Sequence, residues 1–234
     1  MLLTSGGICD KITLLRNGVI YGGKNMTNKT PDNYESRKRL IDCAKCEFLE
    51  KGFAKASLRK IASDAGLTTG AVYFFFGDKN GLLEGVIGDA LSKLMRVIEQ
   101  HLAEDIESDL AVYHQQDGNH DEFTESLVDV IYDNLDEMTI LLDRSAGSKY
   151  EGFVDGLINR LDLSYIALAE KYASVMPGKR VNKKMLHWLC HVQINAFIHM
   201  IQHEKDKESA LHFITPVMDM LIKDWMEYSL ENEV

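Results

Sequence analysis

The sequence has 234 residues, enough for one large domain or two modest ones with a real buried core. Its 45% hydrophobic and 26% charged residues suit a folded chain and exclude a disordered or collagen-like one. The net charge of −10 excludes a uniformly basic coat, yet residues 1–80 hold 13 Lys/Arg against 8 Asp/Glu while the remainder holds 13 against 28. A small basic module joined to a larger acidic one suits a protein whose front end alone meets a polyanion.

Four cysteines (Cys9, Cys43, Cys46 and Cys190) do not make the dense framework of a secreted domain, so a reducing, cytoplasmic setting is expected. Apolar stretches near the start are interrupted by charge, as by Arg16 between Ile12 and Tyr21, so no signal peptide is expected. Nothing approaches the apolar length that spans a bilayer, and no membrane partner is expected.

Residues 1–30 show no sustained periodicity and read as an arm or an N-terminal extension, with Met26 an alternative start. From Tyr34 to Lys51, Leu40, Ile41, Ala44, Phe48 and Leu49 recur at helical spacing, and Gly52 suits a left-handed stop. A short helix is expected over Ser57–Ala65, capped by Ser57 and ended by Gly66. Another is expected from Thr68 to about Phe75. Asp78 then caps a longer helix carrying Leu82, Leu83, Val86, Ile87, Leu91, Leu94, Val97 and Ile98.

Tyr113–His120 reads as a polar loop. Helices are expected over Glu122–Leu142, Lys149–Val175, Asn182–Glu204 and Lys207–Ser229, separated by Gly147, Pro177-Gly178 and the charged run Glu204–Glu208. No segment alternates with period two between hairpin turns, so no strand is expected and the fold class is all-α. In the last helix Ile214, Met218, Leu221, Trp225 and Tyr228 have the spacing of a helix-to-helix seam, with Pro216 either kinking it or marking a second start.

The stretch Ile61–Phe76 carries the strongest functional signal. A helix-turn-helix needs small residues where two helices touch, a turn residue tolerant of positive φ, and a short second helix for the major groove. Ala62 and Ala65 supply the contacts, Gly66 the turn, and Ile61, Leu67 and Val72 the apolar pins. Thr68, Thr69, Gly70 and Ala71 open the second helix with small side chains, where free N–H groups and the helix dipole favour phosphate.

Phe48-x3-Gly52, Leu58-Arg59-Lys60-Ile61-Ala62, Ala65-Gly66-Leu67, Gly70-Ala71-Val72-Tyr73, Phe76-x2-Lys79 and Leu82-Leu83 together resemble the DNA-binding signature of the TetR family. The resemblance implies an all-α protein: a three-helix DNA-binding domain over residues 31–80, then a helical ligand-binding and dimerisation domain over 81–234. It implies phosphate contacts from Tyr73, Lys79, Ser57 and Arg59, with Thr68, Thr69, Gly70, Ala71 and Phe74 facing the groove. Phe75 stands where the family often has a polar aromatic residue, which puts one phosphate contact in doubt. The function implied is a homodimeric repressor on a palindromic operator, released by a small, largely apolar effector. The alternative is a ligand-independent architectural or activating dimer.

Other constellations point less far. Cys43-x2-Cys46 has redox or zinc spacing but lies within a helix without a second ligand pair, so packing is expected. His187-x3-His191 and His199-x3-His203 lie 12 residues apart, about 18 Å at helical rise, and cannot share an ion. No metal or other cofactor is expected. No phosphate loop, nucleophile elbow or carboxylate–histidine pattern appears, so no enzyme is expected. The last two helices are the expected dimer surface. Tyr132, Met138, Tyr150, Phe153 and Trp188 mark the expected surroundings of an effector pocket, near Gln193, Asn195 and His199.

Overall fold

A computed structural model describes residues 33–107, 119–223 and 225–233. The expected arm over residues 1–30 lies outside them, as does the stretch 113–118 of the expected polar loop. Among the described residues there are ten helices and one small sheet. In chain order they are α1 Asn33–Lys55, α2 Leu58–Asp64, α3 Thr69–Phe76, α4 Lys79–Glu107, α5 Asn119–Asp133, α6 Leu135–Asp143, α7 Phe153–Ala173, β1 Lys179–Val181, α8 Lys183–His203, α9 Lys207–Lys223, α10 Trp225–Ser229 and β2 Leu230–Asn232. No described helix is long and apolar enough to cross a membrane.

The chain divides into two compact units. The first comprises the described residues up to Gly88 together with Asp143–Lys149. The second comprises Asp89–Leu142 and Tyr150 onward, so α4 contributes to both.

In the first unit, Leu40, Ala44 and Phe48 of α1 are fully buried with Ile61 and Ala62 of α2, Val72 of α3, and Leu82, Leu83 and Ile87 of α4. Burying a side chain such as Phe48 contributes roughly 2–3 kcal/mol. Gly52 does not end α1 by a left-handed turn as expected. Its φ of 71° comes with ψ of 162°, a nearly glycine-only conformation, and the chain turns helical again to Lys55. The reason is a partner on the far side of the kink: Phe53 N–H donates to the Arg144 carbonyl at 2.7 Å. Ser145 of that returning segment is buried, and Lys149 pairs with Glu84 at 2.6 Å.

In the second unit α9 packs on α5, and α8 packs on α7 and α9. Its main core joins Leu94, Ile98 and Leu102 of α4 to Val128, Met138, Ile158, Leu161, Phe197, Met200 and Ile214. Here the expected helices are corrected in several places. Helix α5 begins at Asn119, where Asp121 and Glu122 complement the dipole of the first turn. The single helix expected over Glu122–Leu142 breaks at Asn134, whose side-chain amide donates to the Val130 carbonyl at 2.7 Å. Residues 150–152 precede α7 as a turn.

Two strands appear where none was expected. β1 and β2 pair antiparallel with Lys179 opposite Asn232 and Val181 opposite Leu230. Three-residue strands are too short to show a period-two pattern. Pro216 lies inside α9 without ending it, and α9 stops at Lys223. The seam residues also have another partner than expected. Ile214 and Met218 are at most 3% exposed and Trp225 is 9% exposed, all packed into their own protomer, and Tyr228 alone is well exposed.

Candidate nucleic-acid interface

Helix α2 starts where the sequence places it, because Ser57 is extended and its hydroxyl accepts from Lys60 N–H at 3.3 Å. A second acceptor reinforces this start. Glu47 of α1, 3% exposed, takes the Ser57 N–H at 3.2 Å and the Lys60 ammonium at 2.8 Å. The Glu47 carboxylate, ahead of the neighbouring Asp64, holds the Lys60 pKa above its usual value. One buried carboxylate therefore satisfies the helix start and fixes α2 against α1.

Gly66 turns the chain between α2 and α3 at φ 69°, as the motif requires, and Leu67 N–H returns to the Ala62 carbonyl at 2.8 Å. Thr68 caps α3 through its backbone carbonyl, which accepts from Ala71 N–H, and its side chain makes no cap bond. Helix α3 buries only Val72. Gly70, Tyr73 and Phe74 lie on its outer face with Thr68 just before it, and Thr69 and Ala71 are half-buried. Tyr73 is 55% and Phe74 74% exposed, an unusual amount for two aromatic rings side by side. Phe75 and Phe76 are half-buried, Phe76 beneath the Arg37 guanidinium at 5.1 Å.

Ser57 and Arg59 are exposed at the start of α2, on the same unit as this face. Lys79 is only half-exposed. Its ammonium donates to the Ala54 carbonyl at 3.3 Å and sits 4.8 Å from the Phe53 ring centroid, and burial lowers its pKa. An ammonium has three donors, so this seat leaves others for a phosphate oxygen. The geometry suits docking in a major groove: a short helix with small residues at its N-terminal end, an exposed side chain at Tyr73, and the seated Lys79 ammonium on the same unit.

The second unit holds a different site. A cavity of about 70 Å³ lies between α4, α5, α6, α7 and α8. Its walls are almost wholly apolar, with Met138 and Phe153 among them as the sequence suggested. The other expected surroundings do not join it. Tyr132 donates to the Met200 and Glu204 carbonyls, and Trp188 is 58% exposed. Of the three polar residues on α8, Gln193 reaches the wall, where its carbonyl accepts from Tyr165 at 2.8 Å, while Asn195 and His199 are exposed. Sequence reasoning missed His101 and Asp105, a buried pair four residues apart on α4. Its signal was a polar i,i+4 couple interrupting the stripe Leu94, Ile98, Leu102. Among the described residues no group of three or more His, Cys, Asp or Glu side chains could hold a metal ion.

A family model described as bacterial regulatory proteins, tetR family, matches residues 40–86. Over 67 residues the chain is 37% identical to the HTH-type transcriptional regulator BetI of Yersinia pestis, covering 29% of this chain and 34% of that one. Over 56 residues it is 41% identical to the HTH-type transcriptional repressor BepR of Brucella suis, covering 24% and 27%. The chain thus spans about a third of the length of the curated relatives it matches. Among solved structures, a TetR-like transcriptional regulator from Rhodococcus aligns with a TM-score of 0.57 at 16% identity, over 85% of this chain and 99% of that one. That likeness extends the all-α fold beyond the matched segment.

Proposed function

The chain belongs to the TetR family of bacterial regulatory proteins through its residues 40–86, and from that premise we propose that it is a DNA-binding transcriptional repressor acting as a homodimer. Residues 31–80 are its DNA-binding domain and 81–234 its ligand-binding and dimerisation domain. Tyr73, Lys79, Ser57 and Arg59 hold phosphates, and Thr68, Thr69, Gly70, Ala71 and Phe74 face the major groove. The observation that carries this reading is the outer face of α3: it buries a single residue and leaves Tyr73 and Phe74 to solvent. A small, largely apolar molecule in the cavity weakens DNA binding, and α8 and α9, the latter continued by α10, pair the protomers.

Selection of bound DNA from a random pool tests the core of this reading. Two equivalent recognition helices call for a palindromic or near-palindromic site. Selected DNA without two-fold repeats overturns it. The apolar cavity supports the ligand-responsive form over a ligand-independent architectural or activating dimer.

A further inference from the structure

Two imidazoles on α8 face one another. His187 Nε2 and His191 Nε2 stand 3.2 Å apart, and their rings lie nearly perpendicular, at 83°. Solvent reaches both, since the His187 side chain is 50% exposed and His191 is half-buried. Two nitrogens bound to a tetrahedral ion at about 2.0–2.1 Å lie about 3.3 Å from each other, so the observed separation is already that of a chelate.

A third residue sets the ring. Asp162 of α7 places Oδ2 3.2 Å from His187 Nδ1, the nitrogen that His191 does not face. An ionised carboxylate only accepts, so Nδ1 carries the proton and His187 Nε2 keeps its lone pair. A carboxylate on the far nitrogen is the arrangement that orients a metal-binding histidine and raises its basicity.

Charge supplies an independent observation. The second carboxylate oxygen, Asp162 Oδ1, is buried without a hydrogen-bond partner, and among the described residues the ion-pair partner of Asp162 is His187. When His187 is neutral that pair gives the acid no countercharge. A divalent ion on Nε2 restores one through the ring.

The same helix carries its own comparison. His199 and His203 repeat the spacing, but their rings stack at 4.0 Å and 19°, and His203 Nδ1 lies 2.9 Å from the His199 carbonyl. Parallel rings do not aim two lone pairs at one point. Equal spacing in the sequence therefore covers one chelate and one stack.

We propose that His187 and His191 form a surface site for a divalent transition-metal ion of the zinc class, with Asp162 as its positioning residue. The two Nε2 atoms are the ligands. The ion takes the place of the one proton that these facing nitrogens can share, which leaves to solvent. Among the described residues no third His, Cys, Asp or Glu joins them, and water fills the remaining positions. Imidazole suits zinc, copper and nickel, whereas magnesium and calcium take oxygen ligands. Neither histidine lines the cavity, and the site asks nothing of the DNA-binding reading, so either can fail alone.

Calorimetric titration of the full chain, stripped with a chelator, against zinc chloride tests this at about pH 8, where unperturbed imidazole is neutral. One zinc ion should bind per chain, and magnesium chloride in its place should not bind. His191→Ala and His187→Gln should each weaken zinc binding at least about tenfold, while His199→Ala leaves it unchanged. Asp162→Asn should weaken it about tenfold through the ring it orients, a loss that a packing role would not produce in a chain of unchanged melting temperature. Equal zinc affinity in the wild type and His191→Ala, loss confined to His199→Ala, or magnesium binding as tight as zinc overturns the proposal.

Should a variant fail to fold, the wild-type chain supplies the same information. One equivalent of zinc should shift the ring-proton resonances of two of its eight histidines. A shift of none, or of all alike, overturns the assignment.

Discussion

Lys79 lays its ammonium over the ring of Phe53, 4.8 Å from the centroid, and donates to the next residue's carbonyl. A long flexible cation is thereby seated at the beginning of α4, near the kink at Gly52. Such a seat contributes about 0.5–1 kcal/mol and holds the charge where the proposed phosphate contact needs it. Lys79→Met should therefore lower folding stability by about that amount in denaturant titration. It should also lower DNA affinity without altering base preference and flatten the salt dependence by about one unit per half-site. A change in the selected bases would contradict the phosphate role.

Tyr73 is more than half exposed, so Tyr73→Phe should leave the melting temperature unchanged. Losing one hydroxyl bond to a charged phosphate should cost about 1.5–3 kcal/mol of DNA affinity per half-site, alike on selected and scrambled duplexes. Fluorescence anisotropy on both duplexes measures it.

Gly52→Ala should lower stability by about 1–3 kcal/mol. The added methyl meets only the Arg144 carbonyl oxygen, at an ordinary 3.6 Å, so the cost comes from the backbone at φ 71°. Loss of the Phe53 to Arg144 bond should accompany it, seen as faster exchange of the Phe53 amide.

Burial gives the Asp105 carboxyl a folded-state value of about 7, above its unfolded value, so the folded chain prefers it protonated. Stability from this group is intact below an unfolded pKa of about 4 and declines as pH rises through about 7. Asp105→Asn should melt at nearly the wild-type temperature at about pH 4 and increasingly above it towards about pH 8. A gap that closes with rising pH would contradict the burial argument.

The proposed pairing of protomers through α8 and α9 should depend on the apolar side chains that these helices leave exposed, Trp188 at 58% and Met220 at 57%. Trp188→Glu should weaken self-association at least about tenfold in sedimentation while the monomer stays folded. Met218→Glu should unfold the second unit instead, because Met218 is 3% exposed in its own protomer.

The helix-turn-helix was legible because its rules are local. Ser57 caps, Gly66 turns and Val72 packs within a span of about twenty residues, each for a reason visible in the residue itself. Glu47 was not legible in the same way: its buried carboxylate reads as one more surface acid of α1 until α2 is folded beneath it. The seam spacing in α9 correctly marked a packing face. It could not tell packing within the protomer from packing between two, since both bury the same pattern. The cavity lies further still from the sequence, because residues of five helices separated by up to about a hundred positions make its wall. Trp225, paired by spacing with a second subunit, instead packs against Tyr165 and Tyr172 of its own protomer.

The short pairing of β1 with β2 joins residues about fifty positions apart and is completed by Glu233 N–H on the Gly178 carbonyl at 2.9 Å. Closing so long a loop for a few backbone bonds is entropically dear unless α8 and α9 have already folded between its ends. The ribbon is therefore a clasp that shuts last. It ties the residues just before α8 to those just after α10, and it holds only once the helices between them are in place.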